Sequence, residues 1–147
     1  MVGSPALIKE ARALRRLMVR HPPANNQRLV ALFLSMGHHD SLIHHLSQTY
    51  QQRWQIMGDA LNRYLPESSR IPSFGGTSYW VRGPGQLDTR KLQKRAREAD
   101  ILIETGDICF MQSNPPLNFF RLGYSSIAAN RIEPGVKKLA DLIHEII

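Results

Sequence analysis

The sequence predicts an α+β sandwich over residues 40–147, a few strands with helices packed on one side, and two further helices before it. Three observations carry this expectation. Apolar residues recur at steps of three and four up to Leu65, the pattern breaks from Arg70 into short runs bounded by glycine and proline, and helical spacing returns from Ile132 to Ile146. A chain of 147 residues has the length of one domain and buries about 70% of its unfolded surface without staples.

Ser4-Pro5 supplies an N-cap followed by proline at the first helical position. Leu7, Ile8, Ala11, Leu14 and Met18 then form an apolar stripe opposite a basic face, until His21-Pro22-Pro23 stops the helix. Ala24-Asn25-Asn26-Gln27 starts a second helix that is apolar nearly all round from Leu29 to Leu34. Such a helix is expected to be buried, and Gly37 is its natural terminator. Asp40 is expected to cap a third, longer helix carrying Ile43, Leu46, Tyr50, Trp54, Met57, Leu61 and Leu65 and ending at Pro66.

From Arg70 to Phe74 and from Thr77 to Arg82 the residues suit strands, a hairpin or bulged pair around Gly75-Gly76 that Gly83-Pro84-Gly85 closes. Asp88 is placed to cap a fourth helix over 89–99. After it, Ile101 to Glu104 reads as a strand, Thr105-Gly106-Asp107 as a turn, and Ile108 to Met111 as a further apolar piece. Beyond the loop Ser113-Asn114-Pro115-Pro116, the run from Leu117 to Tyr124 reads as a strand covered on both faces. A last helix carries Ile132, Val136, Leu139, Leu142, Ile143 and Ile146. Pro134 is tolerated there only in the first turn, where backbone amides are free.

Arg121 interrupts the apolar strand. In covered surroundings an unpaired charge is too costly to keep, so the guanidinium calls for an anionic partner, either a structural Asp or Glu or the carboxylate of a ligand. No acidic residue lies within ten positions on either side of it.

The net charge of +7 is local: Lys9, Arg12, Arg15, Arg16 and Arg20 face Glu10 alone in the first twenty residues. A phosphate-rich partner would be drawn to that stretch, but a solvated helix face, or one that docks on a missing partner, explains it more simply. The single cysteine, Cys109, rules out an internal disulfide framework and is expected to be an inert buried thiol. With no charged-then-apolar leader at the start, this points to a reduced, cytoplasmic setting. No apolar run approaches the length that spans a bilayer. The pairs His38-His39 and His44-His45 flank Asp40 without converging on one helix face, so no metal site is expected. Tyr50 and Trp54, at helical spacing, read as core.

The collinear series His21-Pro22-Pro23-Ala24-Asn25-Asn26-Gln27, Tyr50-x-x-Arg53, Gly75-Gly76, Phe120-Arg121-Leu122-Gly123-Tyr124 and Arg131-Ile132-Glu133-Pro134-Gly135-Val136 resembles the C-terminal portion of pyridoxal-phosphate-dependent aminotransferases of class I/II, fold type I. Within them it is most similar to the aminotransferase-like domain of MocR-type, GntR-family transcriptional regulators. The resemblance implies that residues 39–147 are the small C-terminal domain and that residues 1–38 are a remnant of the large cofactor-binding domain with its interdomain helix. It implies that Arg121 grips the α-carboxylate of an amino acid. Asn25 and Asn26 would reach across a two-fold interface toward the partner subunit's cofactor, and Gly75 and Gly76 would face the cleft.

The lysine that carries pyridoxal phosphate in this family, the aromatic residue on its ring, the aspartate at its ring nitrogen and the glycine-rich phosphate turn all belong to the large domain, expected upstream of Met1. Pyridoxal 5'-phosphate is therefore expected in the complete protein and not on the isolated chain. No catalytic residue is assigned here, since Lys9, Lys91, Lys94, Lys137 and Lys138 sit on amphipathic helices and read as solvated. The implied partners are the N-terminal large domain, a winged helix-turn-helix DNA-binding domain, a second subunit and an amino acid, with no membrane. Leu42 and Ser47 stand where many relatives carry His and Arg. Two readings stay open: part of a transaminase or MocR-type regulator, or a truncated, non-catalytic module for ligand sensing or dimerisation.

Mixed with pyridoxal phosphate, the isolated chain should leave the spectrum of the free cofactor unchanged. A stoichiometric absorbance band that survives gel filtration and vanishes when one lysine is replaced would refute this.

Overall fold

A computed structural model describes residues 2–70 and 76–147, with the side chains of Ser69 and Arg70 outside the description. The chain forms two compact units, Met1–His45 and Leu46–Ile147.

In the first unit, α1 (Pro5–Met18) starts as the sequence predicts: Ser4 Oγ accepts the Leu7 amide at 3.3 Å and proline follows the cap. Helix α2 (Ala24–Ser35) ends at Gly37, whose φ of +74° suits glycine. The expectation that α2 is buried does not hold. Leu29, Val30, Leu32 and Leu34 are all exposed, because an apolar helix face is buried only where a second layer lies against it, and among the described residues nothing covers these four.

Helix α3 (His38–Tyr64) begins earlier than expected. The Gly37 carbonyl already accepts the Ser41 amide at 3.2 Å, so Asp40 sits in the first turn, where its charge favours the helix dipole, instead of capping it.

The second unit is one antiparallel sheet with helices on one face. Its strands are β1 (Ser69–Arg70), β2 (Ser78–Arg82), β3 (Glu104–Thr105) and β4 (Phe119–Gly123), in the order β1-β2-β4-β3. The first expected strand is seen only at its start, since 71–75 lie outside the described residues. The pair β2–β4 forms the centre, with Tyr79 opposite Leu122 and Val81 opposite Phe120. These four residues point to the buried face. Against them pack Leu61 of α3, Leu92 and Ala96 of α4 (Thr89–Glu98), and Ile132, Val136, Leu139 and Ile143 of α5 (Ala129–Ile146). Tyr50 and Trp54 pack on this core from α3, as expected, and Trp54 stacks on Tyr79 at 6.1 Å between centroids.

Three further expectations change, each for a local reason. Strand β3 is two residues long because Ile101 to Ile103 serve the end of α4: Asp100 takes φ +61°, its amide bonds Arg97 O, and the Ile101 amide bonds Ala96 O at 2.8 Å, a left-handed C-terminal cap. Gln93 Nε2 takes the Ile103 carbonyl as well. The piece after it is a 3-10 turn, Asp107–Cys109, which leaves Cys109 exposed instead of buried. Pro134 lies beyond the first turn of α5, since the helix starts at Ala129. The proline removes one backbone bond at an exposed stretch, where the freed carbonyl is open to solvent, while the buried stripe continues past it.

The segment after β3 is held down by packing and charge. The Gly106 amide donates to Phe119 O at 2.7 Å, and a Cβ on Gly106 would come within 2.7 Å of Trp80 and within 2.8 Å of backbone. Arg90 of α4 grips the largely buried Asp107 through Nε and Nη2 at 2.9 and 2.7 Å. Hydrogen bonds from Thr105 and Arg90 hold the Asp107 carboxyl below the usual carboxylate range.

Gly106→Ala should therefore destabilise the chain by about 1–3 kcal/mol in urea unfolding, through forced overlap with a backbone that cannot retreat. Depression of the Asp107 pKa adds stability above the unfolded-state value, about 3.9, that disappears as pH falls through the lower folded value. The melting temperature of wild type should exceed that of Asp107→Asn at pH 6, and the gap should close below about pH 4. A gap that stays constant down to pH 2 would count against this role for Asp107.

Candidate functional site

The sheet face away from the helices is the place to look for a site, because residues directly opposite on antiparallel strands share a face. On β4 the burial alternates, with Phe120 and Leu122 inward and Arg121 outward, so the strand is covered on one face only. Arg121 is accordingly not enclosed: its side chain is 49% exposed. It also has a partner. Glu104, its counterpart on β3, lies 17 residues away in sequence and places Oε1 at 2.5 Å from Arg121 Nη2. The hydrogen bond and charge of Glu104 raise the guanidinium pKa further, so the cation is permanent.

On the other side of Arg121 stands Trp80 of β2. Trp80 stacks on Phe119 at 5.8 Å and both lie against Phe110, while the Arg82 guanidinium sits over the Phe119 ring at 5.8 Å. These rings close the Phe119 end of the face. The other end is open: next along from Arg121 is Gly123, exposed and with nothing within 4 Å of where a Cβ would stand.

Gly76 comes to this same end. Tyr124 extends the β2–β4 ladder by donating its amide to Thr77 O at 2.9 Å, and its buried hydroxyl, whose pKa burial pushes up, donates to Gly76 O at 2.8 Å. Gly76 has φ +89°, a conformation that other residues rarely adopt. Gly75 lies outside the described residues. Arg53 donates to the Ser125 carbonyl and ties α3 to the loop after β4. Asn25 and Asn26 stand exposed in the first turn of α2, in the other unit.

The residues that sequence reasoning missed here are Glu104 and Trp80, both placed by strand register. Lys9, Lys91, Lys94, Lys137 and Lys138 are all exposed, and Lys138 Nζ donates to Ala99 O at 2.9 Å. Among the described residues no group of His, Cys, Asp and Glu is arranged to hold a metal ion, and no helix is long and apolar enough to cross a membrane.

No family model matches the chain. It is 37% identical over 140 residues to the HTH-type transcriptional regulator TauR of Rhodobacter capsulatus, covering 95% of this chain and 29% of that protein. To the HTH-type transcriptional regulator YdcR of Escherichia coli it is 29% identical over 148 residues, 98% of this chain and 31% of the relative. Among solved structures, LysN, an α-aminoadipate aminotransferase of Thermus thermophilus, superposes with a TM-score of 0.85 at 25% identity, over 99% of this chain and 37% of LysN. The chain thus spans about a third of the length of the proteins it matches. The aminotransferase relatives imply pyridoxal phosphate dependence in complete proteins, and the greater length of all these relatives supports a further N-terminal portion. In sequence and in fold, the chain matches the C-terminal, aminotransferase-like portion of MocR-type regulators and of aminotransferases.

Proposed function

We propose that this chain supplies the carboxylate-binding half of an amino-acid site in a pyridoxal-phosphate-dependent, MocR-type regulator or related transaminase. The observation that carries the reading is the position of Arg121: a permanent cation on the outer sheet face, with aromatic rings closing one end of that face and Gly123 leaving the other open. A planar guanidinium with one edge occupied still offers donors to a second carboxylate. LysN, which 99% of this chain matches, was solved with N-(5'-phosphopyridoxyl)-L-leucine, a conjugate of cofactor and amino acid.

The residues present do not by themselves fit the cofactor, since every lysine is exposed on a helix surface. The cofactor, which would supply the electron-withdrawing ring for chemistry at the amino group, would be held by an N-terminal large domain. Gly76, with Gly75 beside it, would border the cleft, and Asn25 and Asn26 would approach a second subunit. A homodimer in the cytoplasm, with a winged helix-turn-helix domain in the regulator case, completes the reading. A non-catalytic sensing module is the second reading, favoured by the 37% identity to a transcriptional regulator.

In the complete, cofactor-loaded protein, Arg121→Lys should leave the melting temperature within about 2 °C of wild type, because the Glu104 pair is exposed and such pairs add little. Amino-acid binding, read by titration of the cofactor's absorbance, should weaken at least tenfold. A lowered melting temperature with unchanged amino-acid affinity would identify Arg121 as a structural residue instead.

A further inference from the structure

Helix α1 carries its cations on one face. Lys9, Arg12 and Arg16 recur there at steps of three and four, with Arg15 beside them and Arg20 just beyond the helix, and all five are exposed. In the larger unit Arg63, Arg90, Arg95 and Arg121 each hold a carboxylate, whereas among the described residues none of these five cations takes part in an ion pair. The helix dipole favours Arg15 and Arg16, which lie in the last turn. It does nothing for Lys9 and Arg12 in the middle. Four cations within about 10 Å of helix suit a polyanion of high charge density, and a nucleic-acid duplex carries one charge per about 1.7 Å of its axis.

Two observations choose among polyanions. Ile8 and Ala11 are the half-buried residues of α1, so the apolar stripe through Leu7, Ala11, Leu14 and Met18 is already partly covered, while a bilayer surface would need that stripe free to enter it. A duplex needs only the basic face. No Phe, Tyr or Trp occurs before Phe33, so this stretch offers no ring on which an unpaired base of a single strand would stack.

We propose that the face of α1 bearing Lys9, Arg12, Arg15 and Arg16 docks on the phosphate backbone of duplex DNA as a sequence-independent contact. The choice of DNA over duplex RNA rests on the regulator reading proposed above, and the contact itself rests on charge. Such a contact positions a protein on the duplex and leaves the choice of sequence to other residues.

The test uses the 147-residue chain and follows the fluorescence anisotropy of a fluorescein-labelled, mixed-sequence DNA duplex over a range of sodium chloride concentrations. Wild type should bind saturably, with log K falling against log salt at a slope of about three or more, one phosphate contact adding about 0.9. The double variant Lys9→Gln/Arg12→Gln, which keeps good helix formers at both positions, should bind about tenfold more weakly at low salt and lose about two from that slope. Lys91→Gln/Lys94→Gln, with the same loss of charge at exposed positions of α4, should stay within about twofold of wild type. Far-ultraviolet circular dichroism checks that each variant keeps its helices, and the wild-type slope needs no variant at all. Equal weakening in the two double variants would trace binding to net charge and overturn the role of α1. A wild-type slope near zero, or no saturable binding to DNA, would overturn it as well, and so would binding to vesicles of phosphatidylcholine and phosphatidylserine in place of DNA. Tighter binding to a duplex RNA of the same sequence would overturn the choice of DNA, and with it the support drawn from the regulator reading. None of these outcomes touches Arg121, whose carboxylate-binding role has its own test.

Discussion

The pairing of β2 with β4 is the constraint on which the rest of the larger unit depends. Five residues face five, from Ser78 opposite Gly123 to Arg82 opposite Phe119, and the two-residue period of a strand assigns each side chain to a face. A slip of β4 by one residue would send Phe120 and Leu122 to solvent and Arg121 into the core. Helices α3, α4 and α5 enforce the register, because their buried stripes fit only the apolar face. The position of Arg121 is thus fixed by its neighbours Phe120 and Leu122, both buried, more than by any contact of its own.

Much of this was legible in the sequence. The caps at Ser4 and Asp88, the stop at Gly37, the strands around Tyr79 and Phe120 and the stripe of α5 all follow from local chemistry: a side-chain oxygen before a free amide, a glycine free to take positive φ, a periodicity of two or of 3.6. What stayed hidden depends on partners distant in sequence. The run Ile101 to Ile103 has the composition of a strand, yet its backbone is claimed by the cap of α4. The apolar surface of α2 reads as core, yet burial is a property of what lies opposite and not of the helix itself.

The site was legible in its cation and not in its surroundings. The sequence around Arg121 suggested a charge sealed between two layers, because Phe119, Phe120 and Leu122 are all apolar. The alternation along β4 divides them: Phe120 and Leu122 join the core while Phe119 joins Trp80 and Phe110 in a small aromatic cluster on the outer face. Glu104 could be found only through the register of β3 on β4, since 17 residues separate it from Arg121. The resemblance to aminotransferases placed Arg121 from a motif, and the sheet places it by geometry.

Position 104 also differs from its neighbours in what a change there would disturb. Trp80 and Phe119 are committed to each other, Gly106 to the backbone it lies on, and Arg121 to whatever anion it holds. The Glu104 side chain projects from a two-residue edge strand to the guanidinium alone among the contacts described. Such a position is evolutionarily cheap: a lineage can replace the residue there and so alter the electrostatic company of the arginine, with the core and the aromatic cluster left as they are. Divergence among proteins that share this arginine then has a natural place to begin, at a residue distant in sequence from the motif by which they are recognised.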